Sequence, residues 1–157
     1  MALLLGTEYC KVDGNGRFKF PIALKRQLQS DDNRFVVRKS IDADCLELWT
    51  YASFQAEVEQ LQKLLNPYNS EDRMILRRLT EANIIELDTN DRLLIPAEQK
   101  SKIGKSKEIV LQSTGKYIEI WERGAYDNMS DANDDFAQLV NKRLGGIDEL
   151  PLARITE

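Results

Sequence analysis

The chain carries one pattern twice. Lys11-Val12-Asp13-Gly14-Asn15-Gly16-Arg17-Phe18-Lys19-Phe20-Pro21 is answered about 75 residues later by Glu86-Leu87-Asp88-Thr89-Asn90-Asp91-Arg92-Leu93-Leu94-Ile95-Pro96. Asp13, Asn15, Arg17 and Pro21 recur as Asp88, Asn90, Arg92 and Pro96, and Lys25 falls opposite Lys100. Leu46-Glu47-Leu48-Trp49 returns as Ile118-Glu119-Ile120-Trp121, and Phe54 and Tyr126 extend that match. A duplication of this length implies two copies of one small folding unit, so each unusual residue can be weighed against its twin.

Within each copy the pattern predicts strand, turn, strand, helix, strand, strand. Thr7 to Val12 reads as a strand, and Asp13-Gly14-Asn15-Gly16 as a turn, because Gly and Asn tolerate positive φ. Arg17 to Phe20 alternates, with Phe18 and Phe20 on one face and Arg17 and Lys19 on the other. Pro21 suits a helix start, and Ile22, Leu24 and Leu28 give that helix an apolar stripe to about Gln29. Phe35 to Arg38 and Cys45 to Trp49 complete the first copy. Ile84 to Leu87, Arg92 to Ile95, a short helix after Pro96, Glu108 to Leu111 and Tyr117 to Trp121 complete the second.

Between the copies, Phe54, Val58, Leu61 and Leu65 line one face of a helix. Ser70 is the expected cap of a second helix, with Met74, Ile75 and Leu79 inside. A last helix from about Asn133 to Leu144 is expected to bury Phe136, Val140 and Leu144 and to stop at Gly145-Gly146, with Ile147 to Glu157 frayed or loosely docked. The resulting division is 7–54 and 83–126 for the two repeats, 55–82 for connecting helices, and 127–157 for a C-terminal helix and tail.

Composition narrows the chemistry. At 157 residues and 42% hydrophobic the chain can bury a core. Ala2 to Leu5 is too short for a membrane span and lacks the basic flank of a signal peptide, so no membrane is expected. There is no histidine, which removes Ser-His-Asp and Cys-His catalysis and histidine-ligated zinc. Cys10 and Cys45 show no metal spacing and read as buried thiols in a reducing cytosol. Charge is segregated beneath a net of −4: Glu8 to Lys39 holds eight Lys/Arg against four Asp/Glu, whereas Asp127 to Glu157 holds three against seven.

The duplicated loop admits three readings. Asp13 with Arg17, and Asp88 with Arg92, can be intraloop ion pairs, each Asp also bonding its own backbone. The same rigid turn can present an Arg, and the two glycines can bring backbone N–H groups close to an anion. A catalytic dyad of Asp13 and Asp88 fits poorly. The residues that follow are Gly14-Asn15 and Thr89-Asn90, and each Asp has an Arg nearby to keep it ionised. No catalytic residue, cofactor or metal is expected.

Taken together, these residues resemble the MraZ family of bacterial transcriptional regulators, built from two AbrB-like units. The likeness spans about Leu5 to Leu144. It rests on Leu5-Gly6, Asp13-x-x-Gly16-Arg17, Pro21, Leu46-x-Leu48-Trp49, Asn66-Pro67 with Arg73 and Arg77-Arg78, Asp88-x-x-x-Arg92, Ile95-Pro96 and Glu119-Ile120-Trp121. The resemblance implies an α+β fold of tandem swapped-hairpin units (double-split β-α-β) with connecting and C-terminal helices, assembled into ring-shaped homo-oligomers. It also implies a cytoplasmic, nucleoid-associated repressor of its own cell division and cell wall operon, bound to direct repeats in double-stranded promoter DNA.

The loop Asp13, Gly14, Asn15, Gly16, Arg17 is then the DNA-contacting element, with Asp88 and Arg92 its second copy. Lys11 and Lys19, with Arg38 and Lys39, would meet phosphates. Asp91 departs from the family's usual Gly and adds a negative charge beside Arg92, so the second loop is expected to contribute less. Arg73, Arg77 and Arg78 suit a solvated face or an intersubunit seam. The competing reading is a ring-forming protein-interaction module without operator binding.

Overall fold

The computed structural model describes residues 3–104, 107–131 and 135–145, in two compact units, Met1–Ala125 and Tyr126–Glu157. The expected frayed tail, Ile147 to Glu157, lies outside the described residues, as do the first two residues of the predicted last helix and Gly146. The architecture is α+β, an antiparallel sheet with helices.

The first copy runs β1 (Thr7–Lys11), β2 (Arg17–Lys19), α1 (Ile22–Lys25), β3 (Arg34–Lys39) and β4 (Leu46–Thr50). Two helices follow, α2 (Tyr51–Leu64) and α3 (Ser70–Leu79). The second copy runs β5 (Ala82–Glu86), β6 (Arg92–Leu94), a 3-10 turn Lys100–Lys102, β7 (Glu108–Ser113) and β8 (Ile118–Glu122), then α4 (Arg123–Asp131). In the second unit α5 covers Phe136–Leu144.

The copies do not fold side by side; they exchange strands. Six strands form one sheet in the order β1-β7-β8-β4-β3-β5, and β2 pairs with β6 in a separate ribbon. Each copy's first strand pairs with the other copy: β1 with β7, and β5 with β3. The order reads the same from both ends once repeat equivalents are matched, so a pseudo-twofold axis passes between β4 and β8. The register agrees, with Glu47 opposite Glu119 and Phe18 opposite Leu93, each pair made of a residue and its twin or its twin's neighbourhood on the axis.

Alternation along the strands decides the layers. Phe35, Val37, Leu46, Leu48, Ile109, Leu111, Ile118 and Ile120 face a core shared with Phe18, Phe20, Leu24, Leu93 and Ile95 from the ribbon side. The interposed Val36 and Trp49 face the other way and pack with Phe54 of α2. Burying each large apolar side chain stabilises by about 1.5–3 kcal/mol, so the ribbon is held by the core as firmly as by its short hydrogen-bonded ladder.

Several local expectations shift. Helix α1 ends at Lys25 rather than near Gln29, and its counterpart after Pro96 tightens to a 3-10 turn. Asn69, not Ser70, caps α3: its side chain accepts from Glu71 N at 2.9 Å and Asp72 N at 3.0 Å, a reach Ser70 lacks from inside the helix. Met74 and Ile75 are exposed and Leu79 is half-buried, because no layer among the described residues of the first unit covers that side of α3. On α2 Phe54 is buried, while Val58, Leu61 and Leu65 are half-buried.

Helix α4 adds a helix between the second repeat and the predicted last helix, with Gly124 in its first turn. Glu122 nonetheless starts it, accepting from Gly124 N at 2.9 Å and Ala125 N at 2.8 Å. Helix α5 starts at Phe136 with Asp135 as cap. Phe136 and Leu144 are exposed and Val140 half-buried, for a nine-residue helix cannot enclose its own stripe. Among the described residues no helix is long and apolar enough to cross a membrane.

The axis-centred ribbon makes a sharp contrast between neighbours. Leu93 is fully buried and Leu94 is 40% exposed. Leu93→Ala is expected to lower unfolding free energy by about 2–5 kcal/mol, and Leu94→Ala to change it by less than about 0.5 kcal/mol, read by urea denaturation of both variants.

Candidate nucleic-acid interface

Each Asp folds its loop around itself. Asp13 Oδ1 accepts from Asn15 N at 2.9 Å and Arg17 N at 3.0 Å, and Asp13 O accepts from Gly16 N at 3.0 Å. Asp88 repeats this with Asn90 N at 2.8 Å, Arg92 N at 2.9 Å and Asp91 N at 3.1 Å. The turns close with Asp13 N donating to Arg17 O at 2.8 Å and Asp88 N to Arg92 O at 3.0 Å. The backbone reading of the two aspartates therefore holds. The amides of residues 15, 16 and 17 are committed to Asp13 and do not also turn to an anion.

The loop position before each Arg is left-handed, φ +85° at Gly16 and +59° at Asp91. Asp is among the few non-glycine residues that enter this region readily, so Asp91 keeps the turn that Gly16 makes. Its extra charge is taken up across the axis. Lys25 Nζ of the first copy lies 2.7 Å from Asp91 Oδ1, and the matching Lys100 of the second copy lies against Gly16.

The loops are side by side because β2 and β6 pair, with Lys19 opposite Arg92 and Arg17 opposite Leu94. Each loop is also bonded to the other copy's strand: Phe20 N donates to Asp91 O at 2.8 Å, and Ile95 N to Gly16 O at 3.0 Å. This adjacency corrects the expected intraloop ion pairs. The pair that forms runs between loops, Arg92 Nη1 to Asp13 Oδ2 at 3.5 Å. Arg17 makes no ion pair among the described residues. It is half-buried at the root of its turn, with exposed Lys11 and Lys19 to either side.

Of the eight cations from Glu8 to Lys39, three are internally matched: Lys25 by Asp91, Arg34 by Asp32, and Arg38 by Glu47. Arg38 is 5% exposed, its Nε 2.8 Å from Glu47 Oε1, and its Nη1 donates to Leu79 O at 2.7 Å. That corrects its candidacy for phosphate contact, because a buried guanidinium held by Glu47 and the Leu79 carbonyl is out of reach of a phosphate in solvent. Lys39 is exposed, and so are Arg73, Arg77 and Arg78.

Burial pushes the pKa of the Cys45 thiol up to about 12 and that of Cys10 up to about 11, and Cys10 is half-buried where full burial was expected. The signal that the sequence reading passed over lies at Lys100 to Lys107, four lysines without a carboxylate.

Two outcomes test the loop. Gly16→Ala would force a Cβ into left-handed backbone and against Lys100, and is expected to cost about 1–2 kcal/mol in urea unfolding. The second is pH dependence. Hydrogen bonds from the Arg17 amide, then Asn15, with the Arg92 and Arg17 charges, hold Asp13 below its ordinary 3.8; the Arg92 and Asn90 amides do the same for Asp88. A pKa depressed on folding adds stability that is complete above the ordinary value and is lost as pH falls through the folded one. The stability gap between wild type and Asp13→Asn/Asp88→Asn should therefore narrow as pH is lowered below 3.8, followed by denaturation midpoints across that range.

Comparison with known proteins places this arrangement. A family model described as "MraZ protein, putative antitoxin-like" matches residues 79–145. A protein of Christiangramia forsetii named transcriptional regulator MraZ is 36% identical over 151 residues, 94% of this chain and 97% of the relative. A protein of the same name from Flavobacterium psychrophilum is 35% identical over 95% of this chain and 96% of its own length. One from Mycoplasmoides gallisepticum is 31% identical over 88% and 95%. With the duplicated loops, the exchanged strands and these relatives in agreement along nearly the whole sequence, the chain belongs to the MraZ family.

Proposed function

We propose that this chain is a sequence-specific DNA-binding transcriptional regulator, a repressor that binds tandem repeats upstream of its own cell division and cell wall operon. The relatives' shared name, transcriptional regulator, supports the general reading. The observation that carries the mechanism is Arg17, which stands on a turn closed by Asp13 and is free of any ion pair among the described residues. A guanidinium so positioned can bond O6 and N7 of a guanine in the major groove, adding about 1–3 kcal/mol of discrimination. Lys11 and Lys19 beside it meet phosphates and set register without reading sequence.

The second loop has the same backbone but a different electrostatic state. Arg92 is drawn to Asp13, and Asp91 places a carboxylate in its turn. Arg92 therefore serves the duplex less than Arg17 does and serves loop-to-loop packing more. One chain offers few contacts, so the binding species is a ring of identical chains, nucleoid-associated in the cytoplasm. Facing tandem repeats, such a ring gains about 10²–10⁴-fold from contacts that become intramolecular. The two repeats, 7–54 and 83–126, act in this reading as one reading head rather than as separate domains.

In a mobility-shift titration against the chain's own upstream region, Arg17→Ala is expected to weaken binding by at least about tenfold, within the range set by one base contact. Arg92→Ala should weaken it less. Intact binding by a folded, oligomeric Arg17→Ala removes the assigned role, and equal losses remove the ranking of the loops. Absence of any shift by the wild-type oligomer favours the interaction-module reading instead.

A further inference from the structure

After the shared proline the two copies differ in charge. The second continues as Lys100-Ser101-Lys102-Ile103-Gly104-Lys105-Ser106-Lys107, without a carboxylate; the first runs from Lys25 and Arg26 to Asp31-Asp32-Asn33. Strand exchange carries each segment to the other copy's loop. Val12 N donates to Lys107 O at 2.8 Å, and the equivalent Leu87 N donates to Asn33 O at 3.0 Å. Lys107 is thereby tied to the residue that precedes Asp13. Lys100 lies against Gly16, its side-chain end filling the space a Cβ would need there. Ile103, 2% exposed, roots the segment in the core between them.

Lys100 and Lys107 share one concavity with Val12, Asp13, Gly14 and Gly16. Neither lysine forms an ion pair among the described residues. The carboxylate in that concavity, Asp13, is engaged by two backbone amides and by Arg92. The counterpart beside the second loop is cancelled out: Lys25 is matched by Asp91, Asn33 stands where Lys107 stands, and Asp32 holds Arg34. Two ammonium groups beside a rigid turn, in no ion pair among the described residues, suit the regularly spaced negative charge of a nucleic-acid backbone.

We propose that Lys100 and Lys107 of the second repeat each contact a backbone phosphate of the duplex read by Arg17 of the first, so that one reading surface is assembled from both repeats. This rests on the DNA-binding reading above. The matching surface beside the second loop makes no phosphate contact, which gives the duplicated loops unequal roles through their neighbours as well as through Asp91. Lys102, 3.7 Å from Asp44, takes no part.

The test is fluorescence anisotropy of the full-length oligomer on its own upstream duplex and on a scrambled duplex of equal length, from about 50 to about 200 mM salt. Lys100→Met keeps the stem that packs on Gly16 and removes the charge; Lys107→Ala removes an exposed side chain. Each is expected to reduce the slope of log K against log salt by about 0.9 per engaged chain and to weaken both duplexes in equal proportion. Lys116→Ala, which removes a lysine paired with Glu57, should leave the slope unchanged. An unchanged slope in Lys107→Ala, or a loss confined to the upstream duplex, overturns the phosphate assignment while wild-type binding stands. Salt-independent binding or none by wild type overturns the DNA-binding reading itself. Should Lys100→Met fail to assemble, Lys107→Ala decides the question alone.

Discussion

The pairing of β2 with β6 is the contact on which the rest of this structure depends. Three residues from each copy meet there, with Phe18 opposite Leu93 and both turned into the core. Neither strand could persist alone, because a ladder this short offers too few hydrogen bonds to offset the entropy of ordering it. Pairing across the axis brings the two loops together, ties each to the other copy through Phe20 N and Ile95 N, and leaves the remaining strands to interleave in a single sheet. Because β1 belongs to β7 and β5 to β3, neither repeat has a complete sheet without its twin.

Symmetry of the backbone then sets off the asymmetry of the side chains. Glu47 and Glu119 face each other on adjacent strands, and each accepts from its own tryptophan, Trp49 Nε1 and Trp121 Nε1, at 3.1 Å. Two carboxylates directly opposite are unfavourable. Arg38 answers one of them from within the sheet, its guanidinium 5.3 Å from the ring centroids of Trp49 and of Phe54. A buried pair of this kind adds little net stability against a well-packed apolar alternative, but it holds its members to one arrangement. The loops show the same divergence at the surface. Gly16 faces Lys100, whereas Asp91 captures Lys25, so a common turn has become two electrostatically distinct ones.

Much of this was readable in the residues. Repetition announced the two copies, Asp-x-x-Gly/Asp-Arg announced the turns, and period-two alternation separated buried Phe18 and Phe20 from Lys19 on the outer face. These are local rules, enforced by φ/ψ sterics and by the pleat, and they survive any tertiary context. What was misread depended on neighbours far along the chain. Arg38 looks like any strand cation until Glu47 and Leu79 O are brought to it. Met74 and Ile75 look like core residues by their spacing, yet both side chains are exposed. Helix α4 carries Gly124 in its first turn, and the Glu122 carboxylate at the helix start offsets that cost.

The sequence by itself determined the strands and turns of each copy, their duplication and the presence of an Arg on a closed turn, since turn chemistry and alternation act over a few residues. Only the tertiary structure decided which charges remain free. Asp13 is as close in sequence to Arg17 as Asp88 is to Arg92, yet the ion pair runs from Asp13 to Arg92. Lys100 and Lys107 acquire meaning only because strand exchange sets them beside a loop more than eighty residues earlier. Coulombic pairing depends on distance in space, and distance in space between two repeats is fixed by how their hydrophobic faces close on one another.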